Sequence, residues 1–138
     1  IVLISCVSKK LSQKAKAQDL YISPLFKFNL KYALTLNPNK IFILSAEHGL
    51  LDLEQEIEPY NKTLNKMNVG EVRVWADKVL EQLKKEVDLQ SDEFIFLAGE
   101  NYRKFLVPYI SNYNIPMKGL GIGKQLKFLK EKINESGM

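Results

Sequence analysis

Cysteine and histidine are nearly absent from this sequence. Its 138 residues include one cysteine, Cys6, and one histidine, His48. A single cysteine cannot form an intramolecular disulfide, and the two side chains together supply too few ligands for a multi-cysteine or histidine-rich zinc site. We therefore expect no metal and no other cofactor, and a reducing compartment for the protein.

Long hydrophobic runs are also missing. The longest ones, Ile1–Ile4 and Ile41–Leu44, are far shorter than the roughly 20 residues that cross a bilayer. The first run passes directly into polar sequence and lacks the layout of a signal peptide. We expect a cytoplasmic protein with no membrane partner, and the sequence does not indicate an oligomeric state. The length and the 46% hydrophobic content predict a single α/β domain over residues 1–138.

Acidic residues are scarce in the first 40 positions. This segment contains seven lysines and one acid, Asp19, and its net charge is therefore +6. The remaining residues have a net charge of −2, which gives +4 for the whole sequence. Such an uneven distribution indicates a face that attracts anions, and phosphate and nucleic acid are the common partners of such a face. The alternative is a lysine-rich loop that only keeps the protein soluble.

Three continuous apolar runs are typical of strands that are covered on both faces. They are Ile1–Cys6, Lys40–Ser45 and Glu93–Ala98, and a brief fourth strand is expected at Ile115–Met117. Amphipathic helical patterns alternate with these runs. The alternation predicts an α/β fold, a three-layer sandwich with a mainly parallel four-stranded sheet.

Four helices are predicted between and after the strands. One begins at Ser23-Pro24, with Ser23 as N-cap, and another is capped by Asn68. A short helix is expected from about Asn101 to Ile110, and a last one follows Gly123. The segment from Ala46 to Asn68 is expected to be a long irregular loop with a functional role.

Polar residues follow the first predicted strand, where sheets of this kind bind ligands. We expect the hydroxyl and ammonium groups of Ser5, Ser8, Lys9 and Lys10 to bind phosphate. The glycines of a Walker loop are missing, which disfavours nucleoside triphosphate hydrolysis. Cys6 is a candidate nucleophile, and a small buried side chain is the alternative for it.

The second predicted strand ends at Ser45, three residues before the single histidine. His48 can act as a general acid or base, or contact a base or phosphate, and Ser45 is a competing polar contact. Further on, Tyr60 and Lys62 can stack on a nucleobase and hold it, with Tyr21 as a second stacking candidate. A loop that merely packs around Tyr60 is the alternative.

Two glycines, Gly121 and Gly123, lie close to the start of the last predicted helix. Free N–H groups and the positive end of the helix dipole favour an anion at this point. A tight turn that needs glycine explains the same residues.

Four motifs in this order resemble those of a family of small bacterial and phage domains of unknown function. They are Ser-Cys-Val-Ser-Lys-Lys at 5–10, Ala-Gln-Asp-Leu-Tyr-Ile-Ser-Pro-Leu-Phe at 17–26, Leu-Ser-Ala-Glu-His-Gly-Leu-Leu at 44–51 and Glu-Pro-Tyr-Asn-Lys-Thr-Leu at 58–64. That family is in turn similar, more distantly, to the uracil-DNA glycosylase fold group. The resemblance implies a uracil-DNA-glycosylase-like fold and a nucleotide-like ligand. It does not imply uracil excision, because the glycosylase acid in the first loop and the late histidine loop are not matched.

The leading hypothesis is a domain that binds a nucleobase, a nucleotide or nucleic acid at the carboxyl edge of the sheet. In its enzymatic form the domain modifies a base or acts on a glycosidic bond, with His48 as acid, base or edge reader. The alternative is a non-catalytic accessory module that binds nucleic acid. A third hypothesis is a cysteine hydrolase that uses Cys6 and His48.

Overall fold

The computed structural model of the protein describes residues 1–137. Within them the strands are β1 (Val2–Ser5), β2 (Ala15–Lys16), β3 (Ile41–Ser45), β4 (Gly49–Asp52), β5 (Glu56–Ile57), β6 (Glu93–Leu97) and β7 (Asn112–Asn114). The α-helices are α1 (Ala17–Leu20), α2 (Pro24–Thr35), α3 (Val69–Lys84), α4 (Glu100–Arg103) and α5 (Ile122–Glu135), and single 3₁₀ turns lie at Leu64–Lys66 and Val107–Tyr109.

The main sheet has five strands in the order β4-β3-β1-β6-β7. β1 is central and pairs in parallel with β3 and with β6, so that Val2 lies opposite Ile41 on one side and Ile95 on the other. β7 continues the parallel order, whereas β4 is antiparallel to β3. The α/β class and the mainly parallel sheet are confirmed, and the predicted number of four strands is wrong.

The extra strand is β4, which lies inside the segment predicted to be an irregular loop. After β3 the chain turns through three residues and enters β4 at Gly49, whose φ of +77° is a conformation that glycine adopts without strain. A second, two-stranded sheet of β2 and β5 also uses part of this segment. The last strand, β7, precedes the predicted position at Ile115–Met117.

The two predicted helix starts with capping side chains are confirmed. Ser23 accepts a hydrogen bond from the N–H of Phe26 at 3.2 Å, and Pro24 occupies the first helical position. Asn68 and Glu71 form a reciprocal capping box at the start of α3. The short helix expected over 101–110 is divided into α4 and the 3₁₀ turn that contains Pro108, since proline cannot continue the hydrogen-bonding pattern of a helix.

Helices cover both faces of the main sheet. All three residues Val2, Leu3 and Ile4 of β1 are fully buried, which requires packing on both sides. α2 and α5 pack against each other, and α2 also packs on β1. The crossover through α2 leads from β1 to β3 on one side of it in the sheet. The later crossover through α3 leads back across the sheet to β6, on the other side of β1. Because such crossovers are right-handed, α3 lies on the other face.

None of the helices in residues 1–137 has both the length and the apolar character needed to cross a lipid bilayer.

Candidate functional site

A cleft of about 770 Å³ opens where the parallel strands of the main sheet end. Its walls include residues 5–9, from the last residue of β1 onward, and residues 97–103, from the last residue of β6 onward. The chain crosses from β1 to one side of the sheet and later enters β6 from the other, so the gap between these two strands is a topological switch point. Ligands of open α/β sheets bind at such points.

The loop after β1 presents hydrogen-bond donors to this cleft. Ser5, Ser8 and Lys9 line it, and Lys62 lines it from a separate loop. The N–H of Cys6 is bonded to the carbonyl of Leu44 at 2.9 Å, but within residues 1–137 the next three N–H groups, of residues 7–9, have no acceptor. Consecutive free N–H groups beside ammonium groups favour an anion.

The first turn of α5 reaches the same cleft. Ile122 and Gln125 line it, and the side chain of Gln125 donates to the carbonyl of Leu120 at 2.8 Å. The N-cap is Gly121, which offers no side chain to the first-turn N–H groups. Gly121 and Gly123 flank Ile122 and are exposed, but neither is among the residues that line the cleft.

Asn29 on α2 is the buried polar side chain of the cleft wall. It is 4% exposed, and its Oδ1 has no hydrogen-bond partner in the described part of the chain. A buried acceptor left without a donor costs about 1 to 3 kcal/mol. Sequence reasoning missed this residue, although its spacing from Phe26 and Ala33 places it on the buried stripe of α2, where a polar residue is a usable signal.

Three hydroxyl groups form a hydrogen-bonded cluster next to the end of β3. The hydroxyl of Tyr60 lies 2.7 Å from that of Tyr21 and 2.8 Å from Oγ of Ser45. Oγ of Ser45 also accepts the backbone N–H of His48 at 3.0 Å, and the indole N–H of Trp75 donates to the Ser45 carbonyl at 2.8 Å. We call Tyr21, Ser45 and Tyr60 the hydroxyl cluster.

Lys10 and His48 pack on the hydroxyl cluster through the ring of Tyr60. Nζ of Lys10 lies 4.4 Å from the centre of that ring, and the imidazole of His48 meets it edge to face at 5.6 Å. Burial lowers the pKa of Lys10 from its usual value. A cation over an aromatic face is favoured electrostatically, which offsets part of this cost.

Burial also raises the pKa of the tyrosines in this region. The pKa of Tyr21 rises to about 12, and those of Tyr60 and Tyr102 rise as well. The three phenols therefore remain protonated at neutral pH and act as hydrogen-bonding groups. Tyr21 is 1% exposed, so its ring offers no open face for a base to stack on.

Cys6 is paired with a tyrosine rather than with the histidine. Its thiol donates to the hydroxyl of Tyr102 at 3.4 Å, and that hydroxyl also accepts the N–H of Leu64 at 3.4 Å. Cys6 is 7% exposed. Across residues 1–137 the imidazole of His48 makes no hydrogen bond to the thiol, so the nucleophile and base of a cysteine hydrolase are not paired.

Apart from Gly121 and Gly123, the residues singled out from the sequence fall into two groups. Ser5, Cys6, Ser8, Lys9 and Lys62 line the cleft, whereas Lys10, Tyr21, Ser45, His48 and Tyr60 form the hydroxyl cluster and its covering.

The loop after β6 adds further residues to the cleft. Nη1 of Arg103 donates to the carbonyl of Ala98 at 2.8 Å, and the amide of Asn101 donates to Oδ1 of Asn65 at 2.7 Å. Their position directly after a buried strand was the available signal. Over residues 1–137, no group of three or more histidine, cysteine, aspartate or glutamate side chains is arranged to hold a metal ion.

A family described as "Family of unknown function (DUF6884)" matches residues 1–131, and the chain belongs to that family. The expectation of an uncharacterised family is confirmed at this level. No curated protein and no solved structure matches the chain. The similarity to the uracil-DNA glycosylase fold group stays a prediction.

Proposed function

We propose that this member of the family binds a nucleotide in the cleft between the ends of β1 and β6. The observation that carries the proposal is the combination of free donors on one wall with a buried, unpaired amide on another. The free donors suit a phosphate, and the unpaired amide suits the edge of a base. A cleft of about 770 Å³ lies within the range of roughly 300 to 1,000 Å³ that small-molecule sites occupy.

The phosphate end of the proposed ligand lies against the loop after β1. The N–H groups of residues 7–9 and the hydroxyl of Ser8 supply neutral donors, and Lys9 and Lys62 supply charge. The open first turn of α5 adds a positive dipole end to the same space. Glu100 is the acidic residue among those that line the cleft, so cations outnumber anions there.

The base end of the proposed ligand lies between the apolar walls. Leu25, Leu120 and Leu126 line the cleft, are partly exposed and can cover the faces of a planar ring. The side chain of Asn29 then turns its buried Oδ1 toward the edge of the base and accepts an N–H from it, so that this oxygen gains a hydrogen-bond partner. An amide that pairs with a base edge is a common device of nucleobase recognition.

The hydroxyl cluster has a positioning role in this proposal. Lys10 pairs with Tyr21 as an isolated antiparallel bridge, and the flanking N–H groups of Leu11 and Ile22 bond to the carbonyls of Leu20 and Lys9. Tyr60 therefore anchors the far end of the phosphate-binding loop through Tyr21 and through its contact with Lys10. Chemistry at a base or a glycosidic bond, with His48 or Cys6 as a catalytic residue, stays a prediction.

A calorimetric titration with nucleoside monophosphates and with the matching nucleosides tests the proposal. We expect the protein to bind at least one monophosphate, and the double variant Lys9→Ala/Lys62→Ala to weaken that binding by about tenfold or more, because hydrogen bonds to charged groups contribute about 1.5 to 3 kcal/mol. Binding of the nucleoside should change little between the two proteins. If no monophosphate binds, or if the double variant binds it equally well, the phosphate site is not in this cleft.

A further inference from the structure

Two neighbouring helices carry an exposed basic surface beside the cleft. It consists of Lys27, Lys31, Lys124, Lys127 and Lys130, which we call the basic surface. α2 contains no acidic residue, and α5 contains two, Glu131 and Glu135. Together with Lys132, which is also on α5, the two helices contain six lysines and two acidic residues.

The lysines of the basic surface differ from the others in the first 40 residues. Lys16 pairs with Glu54 at 2.7 Å and Lys40 pairs with Glu86 at 2.8 Å, so part of the N-terminal positive charge is neutralised locally. On α5, Lys132 pairs with Glu135. In the described residues, none of the five lysines of the basic surface lies within ion-pair distance of a carboxylate.

The same two helices contribute residues to both the cleft and the basic surface. α2 lines the cleft with Leu25 and Asn29, and α5 lines it with Gln125 and Leu126. The ring of Tyr32 on α2 meets that of Phe128 on α5 edge to face at 5.9 Å, and Nζ of Lys130 on α5 lies 5.5 Å from the ring of Phe28 on α2. A ligand that leaves the cleft over these helices therefore meets positive charge.

The number and spread of these lysines exceed what one nucleotide requires. At a rise of about 1.5 Å per residue, Lys124 and Lys130 are separated by about 9 Å along α5. Cations spaced over such a length can contact several consecutive phosphates of a nucleic-acid backbone. The phosphate of the nucleotide in the cleft is bound by the loop after β1. A base in an intact duplex must first be unpaired and flipped out, at a cost of a few kcal/mol, whereas a base of a single strand is already accessible to a cleft.

We infer that the nucleotide bound in the cleft is part of a single-stranded nucleic acid whose backbone crosses the basic surface of α2 and α5. This inference rests on the proposed nucleotide site and names its ligand class. Phosphate contacts supply most of the affinity, and the cleft selects one base. A free nucleotide, by contrast, uses the cleft alone.

The test compares a 20-nucleotide single strand, as DNA and as RNA, with a nucleoside monophosphate. Fluorescence anisotropy follows strand binding between 50 and 200 mM salt. If these five lysines contact phosphates together with Lys9 and Lys62, affinity should fall roughly 1,000-fold over this range, and in Lys31→Gln/Lys127→Gln it should be weaker at 50 mM and fall only roughly 100-fold. The matched variant Lys84→Gln/Lys85→Gln loses the same charge near the end of α3 and should behave as the wild type.

The outcomes separate this inference from the proposed function. Lysine-dependent strand binding together with unchanged monophosphate binding in Lys31→Gln/Lys127→Gln supports it. Monophosphate binding without tighter strand binding, or equal strand binding by the two double variants, overturns this inference and leaves the nucleotide site standing. Absence of monophosphate binding counts against the proposed function itself. Binding of anionic lipid vesicles through the same lysines, with no strand binding, also overturns the inference.

Discussion

Asn29 is a buried polar residue whose Oδ1 no other residue of the described chain satisfies. Its side chain lies on the buried stripe of α2 between Phe26 and Ala33, where an apolar residue of similar size would pack without an unpaired acceptor. A binding site can retain a residue that destabilises the fold, because selection acts on function as well as on stability. A ligand N–H is the simplest group that would satisfy this oxygen.

The raised pKa of Tyr21 predicts a loss of stability at high pH. The phenol ionises near pH 10 in the unfolded chain but at about 12 in the folded protein, so rising pH favours unfolding between these values. Each such tyrosine adds a slope of about 1.4 kcal/mol per pH unit. The lowered pKa of Lys10 acts in the opposite direction, but only below its ordinary value of 10.5.

We therefore expect the free energy of unfolding of the wild type to fall from pH 10.5 to 12, and Tyr21→Phe to show a shallower fall. Urea unfolding at a series of pH values measures both. Identical slopes in the two proteins would show that Tyr21 ionises as readily in the folded state as in the unfolded chain.

Single residues were predictable from the sequence where their role depends on near neighbours. Ser23 and Asn68 could be assigned as N-caps because the side chain bonds an N–H only three residues ahead. The partner of Cys6 is Tyr102, which is 96 residues away along the chain, and no local pattern reports that contact. The importance of Asn29 likewise depends on which face of α2 is covered.

Elements were predictable where hydrophobic periodicity is long and uniform. β1, β3 and β6 are continuous apolar runs, and α3 has a clear amphipathic stripe. β4 was missed because its four residues show no alternation and gain their strand conformation from pairing with β3. β2 and β5 have two residues each, which is too short for any period to be seen.

The loop after β1 is held in place by Tyr60, which contacts Tyr21 and Lys10. We therefore expect Tyr60→Phe to destabilise the protein. The change removes the hydroxyl that Ser45 and Tyr21 both contact, and leaves their polar groups partly unpaired in a buried region. We expect the free energy of unfolding to fall by about 1 to 3 kcal/mol. Urea unfolding with an unchanged denaturant slope measures this effect.

The control for Tyr60→Phe is Tyr113→Phe on the edge strand β7. Tyr113 is 47% exposed, so loss of its hydroxyl should change stability by less than about 0.5 kcal/mol. Equal effects of the two changes would mean that the hydroxyl cluster does not stabilise the loop after β1.

At the scale of the whole molecule, the location of the cleft follows from topology. The loops that follow parallel strands all lie at the same edge of the sheet. The loops after β1 and β6 lead to opposite faces of the sheet, which leaves a gap between these two strands. The alternating order of strands and helices predicted that edge. It could not predict which loops enclose the cleft or that Lys10 and Lys9 would lie in different groups, because both depend on tertiary packing.

The substitution Asn29→Leu separates a role of this amide in ligand binding from a role in the fold. Urea unfolding should show a gain of about 1 to 3 kcal/mol in the free energy of unfolding, and calorimetry should show nucleoside monophosphate binding weakened by about tenfold or more. Asn134→Leu makes the same chemical change at an exposed position of α5 and should alter neither quantity by much. Unchanged binding by Asn29→Leu would mean that this amide does not contact the ligand, and a loss of stability would mean that the fold depends on it.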